Sequence, residues 1–102
     1  MILSEKWENV GITESKIPIY IDSKSISYTS KNTVELRTKT ISNNKESLTL
    51  LEIDCLKNNF RILDFIHDKN RANRKRSSKW RVIWPESPPD LVHDAVCDTR
   101  KF

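Results

Sequence analysis

Glycine is almost missing from this chain: Gly11 is the single one in 102 residues. A glycine-rich phosphate loop and a Gly-x-Ser-x-Gly nucleophile elbow are thereby excluded. Turns must instead use Asn, Asp and Ser, whose short side chains bond the local backbone and tolerate left-handed dihedrals. Cysteine is scarce too. Cys55 and Cys97 are the only two, with no Cys-x-x-Cys pair between them, so the usual dithiol redox motif is absent. No run approaches the roughly 20 apolar residues that span a bilayer, and Met1 to Glu5 is too short a start for a signal peptide.

What is present suffices for one modest core. Three Trp, three Phe and two Tyr raise a chain of 36% hydrophobic residues and mean hydropathy -0.63 out of the disordered class. Residues 1–102 read as one domain, since chains of this size bury about 60 to 70% of their unfolded surface. The net charge is +4, and Lys69 to Lys79 alone carries six basic residues and no acidic one, leaving -2 for the remainder. This is a near-neutral domain with one basic segment.

Period-two patterns dominate the first four fifths. A short strand is expected near Trp7 to Val10. Ile17, Ile19 and Ile21 alternate with Pro18, Tyr20 and Asp22, and Val34, Leu36, Thr38 and Thr40 with Glu35, Arg37 and Lys39. In Ser47 to Cys55, Thr49, Leu51, Ile53 and Cys55 share one face, with Leu48 and Leu50 on the other. Strict alternation in Phe60 to His67 puts Phe60, Ile62 and Ile66 on one face and Leu63 and Phe65 on the other; Trp80, Val82 and Trp84 then share a face. Thr29 to Thr33, Ser42 to Ser47 and Lys57 to Asn59 supply short turns, so neighbours should pair antiparallel. The fold class expected is α+β: a meander of about six strands with one C-terminal helix packed on it.

The helix is expected over Pro88 to Cys97. Ser87 can cap it, Pro88 suits the first helical position, and Asp90 can complete a capping box. Leu91, Val92, Ala95 and Val96 make one apolar stripe. Cys97 falls about a quarter turn outside that stripe, which predicts unwinding or tilting of the last turn. Cys55 closes a strand and Cys97 closes the helix, so a bridge would pin one to the other. Zinc is the alternative, because His93 and Cys97 stand four apart on one helix face and Cys55 and His67 could complete the set. Free thiols, activated by His67 or by His93 with Asp94, are the third option.

Trp7, Tyr20-Ile21-Asp22 followed by Ser25-Ile26, Ile53-Asp54-Cys55, Trp80 with Val82, Pro85 and Ser87, and Val96-Cys97 stand in an order that resembles the surface-adhesin protein E-like family of small exported bacterial domains. Nearly the whole chain is covered. The resemblance implies an antiparallel sheet covered by a C-terminal helix and a Cys55–Cys97 disulfide. It also implies location in the periplasm, at the outer membrane or outside the cell, and no catalytic machinery. On that reading the chain is a mature domain behind a start methionine, its export signal removed. It departs from the family in its glycine-free basic segment and in Leu36, where an aromatic is usual.

Candidate sites follow from charge and aromaticity. Lys69, Arg71, Arg74, Lys75, Arg76 and Lys79 suit phosphate, sulfate or carboxylate groups, Arg as a bidentate fork and Lys as a point charge. Partners of that chemistry are lipopolysaccharide, an anionic glycan or a host matrix protein. Nucleic acid is disfavoured, because no aromatic lies inside the segment to stack a base. Trp80 and Trp84 form either an aromatic platform or core packing under the helix. Exposed edge strands leave a homodimer open. The expected function is non-enzymatic binding at the cell envelope, with no cofactor and no metal. The alternatives are a structural or accessory periplasmic protein whose basic segment has no ligand, and a thiol or zinc enzyme. Asp22, Asp54 and Asp64 are expected to serve turns and strand edges rather than acid–base chemistry.

Overall fold

The computed structural model describes residues 5–66 and 78–97. Seven strands are present there: β1 (Trp7–Ile12), β2 (Pro18–Asp22), β3 (Ser27–Tyr28), β4 (Thr33–Ser42), β5 (Lys45–Asp54), β6 (Asn59–Ile66) and β7 (Arg81–Val82). A 3-10 turn, Ser23–Ser25, follows β2, and one helix, α1 (Pro88–Cys97), ends the described chain. The sheet runs β1-β2-β4-β5-β6-β7, every pair antiparallel, with the two-residue β3 on β4 off this path. The expected α+β meander forms.

Asparagine does the turning. β4 and β5 pair without a break from Thr33↔Asp54 to Ser42↔Lys45, so the turn expected over Ser42 to Ser47 shrinks to Asn43 and Asn44. Both take positive φ, 52° and 63°, as a two-residue type I′ loop requires, and that turn's twist matches the strands it joins. After β5 the Asp54 carboxylate accepts from the N–H groups of Leu56 and Lys57, each at 3.0 Å. Asn58 then takes φ 58° to re-enter the sheet.

The lone glycine sits at a bulge. Asn9 pairs with Tyr20 and Gly11 with Ile19, leaving Val10 as the extra residue of β1. Gly11 adopts φ 145°, and a Cβ there would lie 3.1 Å from Leu91 Cδ2 of the helix. Gly11→Ala should therefore cost about 1 to 2 kcal/mol from backbone strain and helix displacement. Urea unfolding of the variant checks this, and an unchanged midpoint would contradict it.

A second bulge corrects the face assignment in β6. Leu50 pairs with Asp64 but Leu51 with Ile62, so Leu63 is the extra residue. Beyond it the alternation reverses. Phe65, opposite Thr49, joins the face of Phe60 and Ile62 instead of opposing it, and the main chain of Ile66 pairs with Leu48.

The core lies on one face only. Ile19 and Ile21 of β2, Val34 and Leu36 of β4 and Leu51 and Ile53 of β5 are buried there with Ile83. Val92, Ala95 and Val96 of α1 cover them, and α1 packs against β1 and β2. A ten-residue helix is marginal alone in water, so this docking is what holds it. At its start, Asp90 N–H donates to the Ser87 carbonyl at 3.0 Å. The Asp90 carboxylate accepts from Glu86 N–H at 2.7 Å, one residue earlier than a capping box predicts, because Glu86 turns through φ 62°. At its end, the Tyr28 hydroxyl donates to the Val96 carbonyl at 2.8 Å. The last turn neither unwinds nor leaves the helix.

Candidate binding surface

The two sulfur atoms are joined. Cys55 and Cys97 form a disulfide with Cα atoms 5.6 Å apart and a sequence separation of 42. Cys97 reaches its partner from within the helix because Cys55 lies in the turn just past β5, where its N–H donates to the Asn32 carbonyl at 2.8 Å. With both thiols consumed, neither can act as a thiolate nucleophile or metal ligand while the bridge is intact. His93 lies half-buried on α1, its Nδ1 3.7 Å from the Asp94 carboxylate. His67 lies outside the described residues. Among the described residues no group of three or more His, Cys, Asp or Glu is placed to hold a metal ion.

The face of the sheet opposite the helix is a lattice of charges and rings. Lys39 Nζ lies 4.6 Å from the Trp7 ring centre and 5.4 Å from that of Tyr20, a doubled cation–π contact. One step along, Asp22 is 1% exposed. Its carboxylate accepts from Lys6 N–H and Lys24 N–H at 3.0 Å and from the Arg37 guanidinium at 2.9 Å. Burial alone pushes the Asp22 pKa up, but the Lys6 N–H, the Arg37 guanidinium and the Lys24 N–H outweigh it and hold the group below its ordinary value.

A third row crosses β5, β6 and the start of β7. Glu52 pairs with Arg61 in register, and its Oε1 accepts from Arg61 Nε at 2.8 Å. The Glu52 side chain is only 10% exposed. The Arg61 guanidinium in turn lies 4.6 Å from the Trp80 ring centre. The register Phe60↔Arg81 and Asn59↔Val82 sets Trp80 and Val82 on this open face and Ile83 on the core face. So the packing reading for the tryptophans fails: Ile83 fills the core, while Trp80, Val82 and Trp84 are 37%, 61% and 70% exposed.

Of the basic residues, Lys79 is described and is exposed; Lys69, Arg71, Arg74, Lys75 and Arg76 lie outside the described residues. Asp54 serves the β5–β6 turn and Asp22 the junction of β1, the 3-10 turn and β4. Glu52 and Arg61 were missed as site residues, although the turn register that sets Asp54 opposite Asn59 also sets Glu52 opposite Arg61. The contact between Arg61 and Trp80 had no such local signal.

Among the described residues no helix is long and apolar enough to cross a membrane. Comparison of the chain with protein-family models, with curated proteins and with solved structures found no match.

Proposed function

We propose that this chain is a surface-adhesin protein E-like domain, exported and non-catalytic, that binds anionic glycans at the cell envelope through its basic segment Lys69 to Lys79. The observation that carries this reading is the start of β7. Lys79, the described end of the basic segment, is exposed and runs directly into the exposed Trp80, Val82 and Trp84. Cations followed by uncovered rings make a contact surface for a charged polymer, not a core element. The disulfide supports the compartment, because such bonds persist outside the reducing cytosol. Its capture of both sulfurs supports a binding role over thiol chemistry.

The test measures affinity for heparin and for lipopolysaccharide at 50 and 500 mM NaCl, with wild type and an Arg74→Ala/Lys75→Ala/Arg76→Ala variant. The wild type should bind at low salt and lose most affinity at high salt, since exposed charges are screened beyond a few ångströms in concentrated salt. The triple variant should bind about tenfold more weakly at low salt, with a flatter salt dependence. Binding to heparin alone would indicate a sulfated glycan, and to lipopolysaccharide alone an envelope partner. Equal binding by the variant would overturn the role of the segment.

A further inference from the structure

We infer that Trp80 is the stacking platform of a sugar subsite on the open face, taking an uncharged hexose ring of a glycan chain. This deepens the proposed function and rests on its reading of the ligand as a glycan. The three residues Glu52, Arg61 and Trp80 stand in one row, on β5, on β6 and just before β7. The near-buried Glu52 carboxylate fixes the Arg61 guanidinium at 2.8 Å, and the guanidinium lies 4.6 Å from the indole centre. A tryptophan ordinarily buries most of its large ring. This one is held by a carboxylate–guanidinium pair and still leaves 37% of its surface open. Because its orientation is set before any ligand arrives, less ordering entropy is lost on binding.

Charge on this face selects among ligands with a flat, ring-shaped surface. Arg81 pairs opposite Phe60 and so belongs to the other face, and the cation nearest the indole, Arg61, is already engaged by Glu52. Glu35 and Glu52, directly paired, present carboxylates on the open face, which would repel the phosphates of a nucleic acid strand stacked on the same ring. The half-buried Glu35 carboxylate can accept hydrogen bonds from hydroxyl groups, whereas that of Glu52 is already engaged by Arg61. An apolar ring face with hydroxyls around its rim matches an exposed indole that shares its row of the sheet with a carboxylate. Trp84 lies four residues from Trp80, about 13 Å along an extended backbone, which leaves room for a second ring of the same chain.

The two parts of the surface should therefore respond differently to salt. The probes are lipid-free core oligosaccharide from lipopolysaccharide, which carries uncharged hexoses, and single-stranded oligothymidine as the nucleic acid control. Wild-type protein should retain oligosaccharide binding at 500 mM NaCl, with a change in tryptophan fluorescence. Trp80→Ala should weaken that residual binding by about tenfold, and Trp80→Phe should restore part of it. Both variants should melt close to wild type, because the ring lies on the open face and outside the core cluster. The Arg74, Lys75 and Arg76 variant should lose low-salt affinity and keep the high-salt residue. Loss in Trp80→Ala with no loss in the triple variant would overturn the basic-segment reading and leave the subsite standing. The reverse pattern would overturn the subsite alone. Trp80-dependent binding of oligothymidine in place of the oligosaccharide would also overturn it.

Discussion

Replacing Cys55 and Cys97 together by alanine is expected to lower the unfolding free energy by about 4 kcal/mol, the chain-entropy value for a closed loop of this length. The bridge spans 42 residues of sequence, so its loss lets the unfolded chain explore many more conformations. The folded state suffers as well. The ten-residue α1 is too short to persist alone, and Cys97 is the point at which its far end is tied to the sheet. Against a typical total of about 5 to 15 kcal/mol, this loss removes a large share, and the melting temperature should fall on the order of 20 °C. Urea titration of wild type, reduced wild type and the double variant measures it. Intact mass should rise by about two units on reduction with denaturant, as one disulfide becomes two thiols. A stability loss below about 1 kcal/mol would show that the docked stripe of Val92, Ala95 and Val96 holds the helix without the staple.

Asp22→Ala should cost about 3 kcal/mol, because it strips the shared acceptor from three donors at once. The N–H groups of Lys6 and Lys24 and the Arg37 guanidinium all donate to this carboxylate, and an unpaired buried donor costs about 1 to 3 kcal/mol. The position ties the entry to β1, the 3-10 turn and β4 to one atom group, so the edge of the sheet should loosen together. The same carboxylate predicts a pH dependence. Its folded pKa lies below the ordinary value, so the unfolded chain binds the proton more readily. Its stabilisation is present above about pH 4 and is lost as pH falls through the lower folded value. Urea midpoints at pH 7 and pH 3 should therefore differ less in Asp22→Asn than in wild type. An equal difference in both would assign the acid sensitivity to other carboxylates. Arg37→Ala should show a smaller loss than Asp22→Ala, since two backbone donors still serve the carboxylate.

Much of the fold was legible one segment at a time. Alternation in Ile19 and Ile21, in Val34 and Leu36 and in Leu51 and Ile53 marked the core face, because period two is a property of each strand alone. Ser87, Pro88 and the stripe from Leu91 to Val96 marked the helix for the same local reason. Asn43-Asn44 hid its compact loop inside a longer polar stretch, since Ser, Lys and Glu on either side read equally well as turn or as exposed strand. The bulge at Leu63 was hidden too: all of Phe60 to Phe65 is compatible with either parity, and only pairing with β5 decides where the extra residue goes.

The tryptophans mark the boundary between the two kinds of information. By itself the sequence determined that Trp80, Val82 and Trp84 share a face, that a helix follows, and that one cysteine closes each of two elements. Which face the helix covers was a tertiary decision. Ile83, Val92 and Val96 bury one another, and once they do, the neighbouring indoles must turn outward, onto Arg61 and into solvent. The same holds for the site. Glu52 and Arg61 meet through a four-residue turn, a local constraint, but Trp80 reaches them only because β7 returns to β6 after the long basic segment. No propensity or spacing encodes that return. It comes from burial of Ile83 in a core assembled from three strands and a helix, and contacts made across such distances in sequence exist only once the whole sheet has formed.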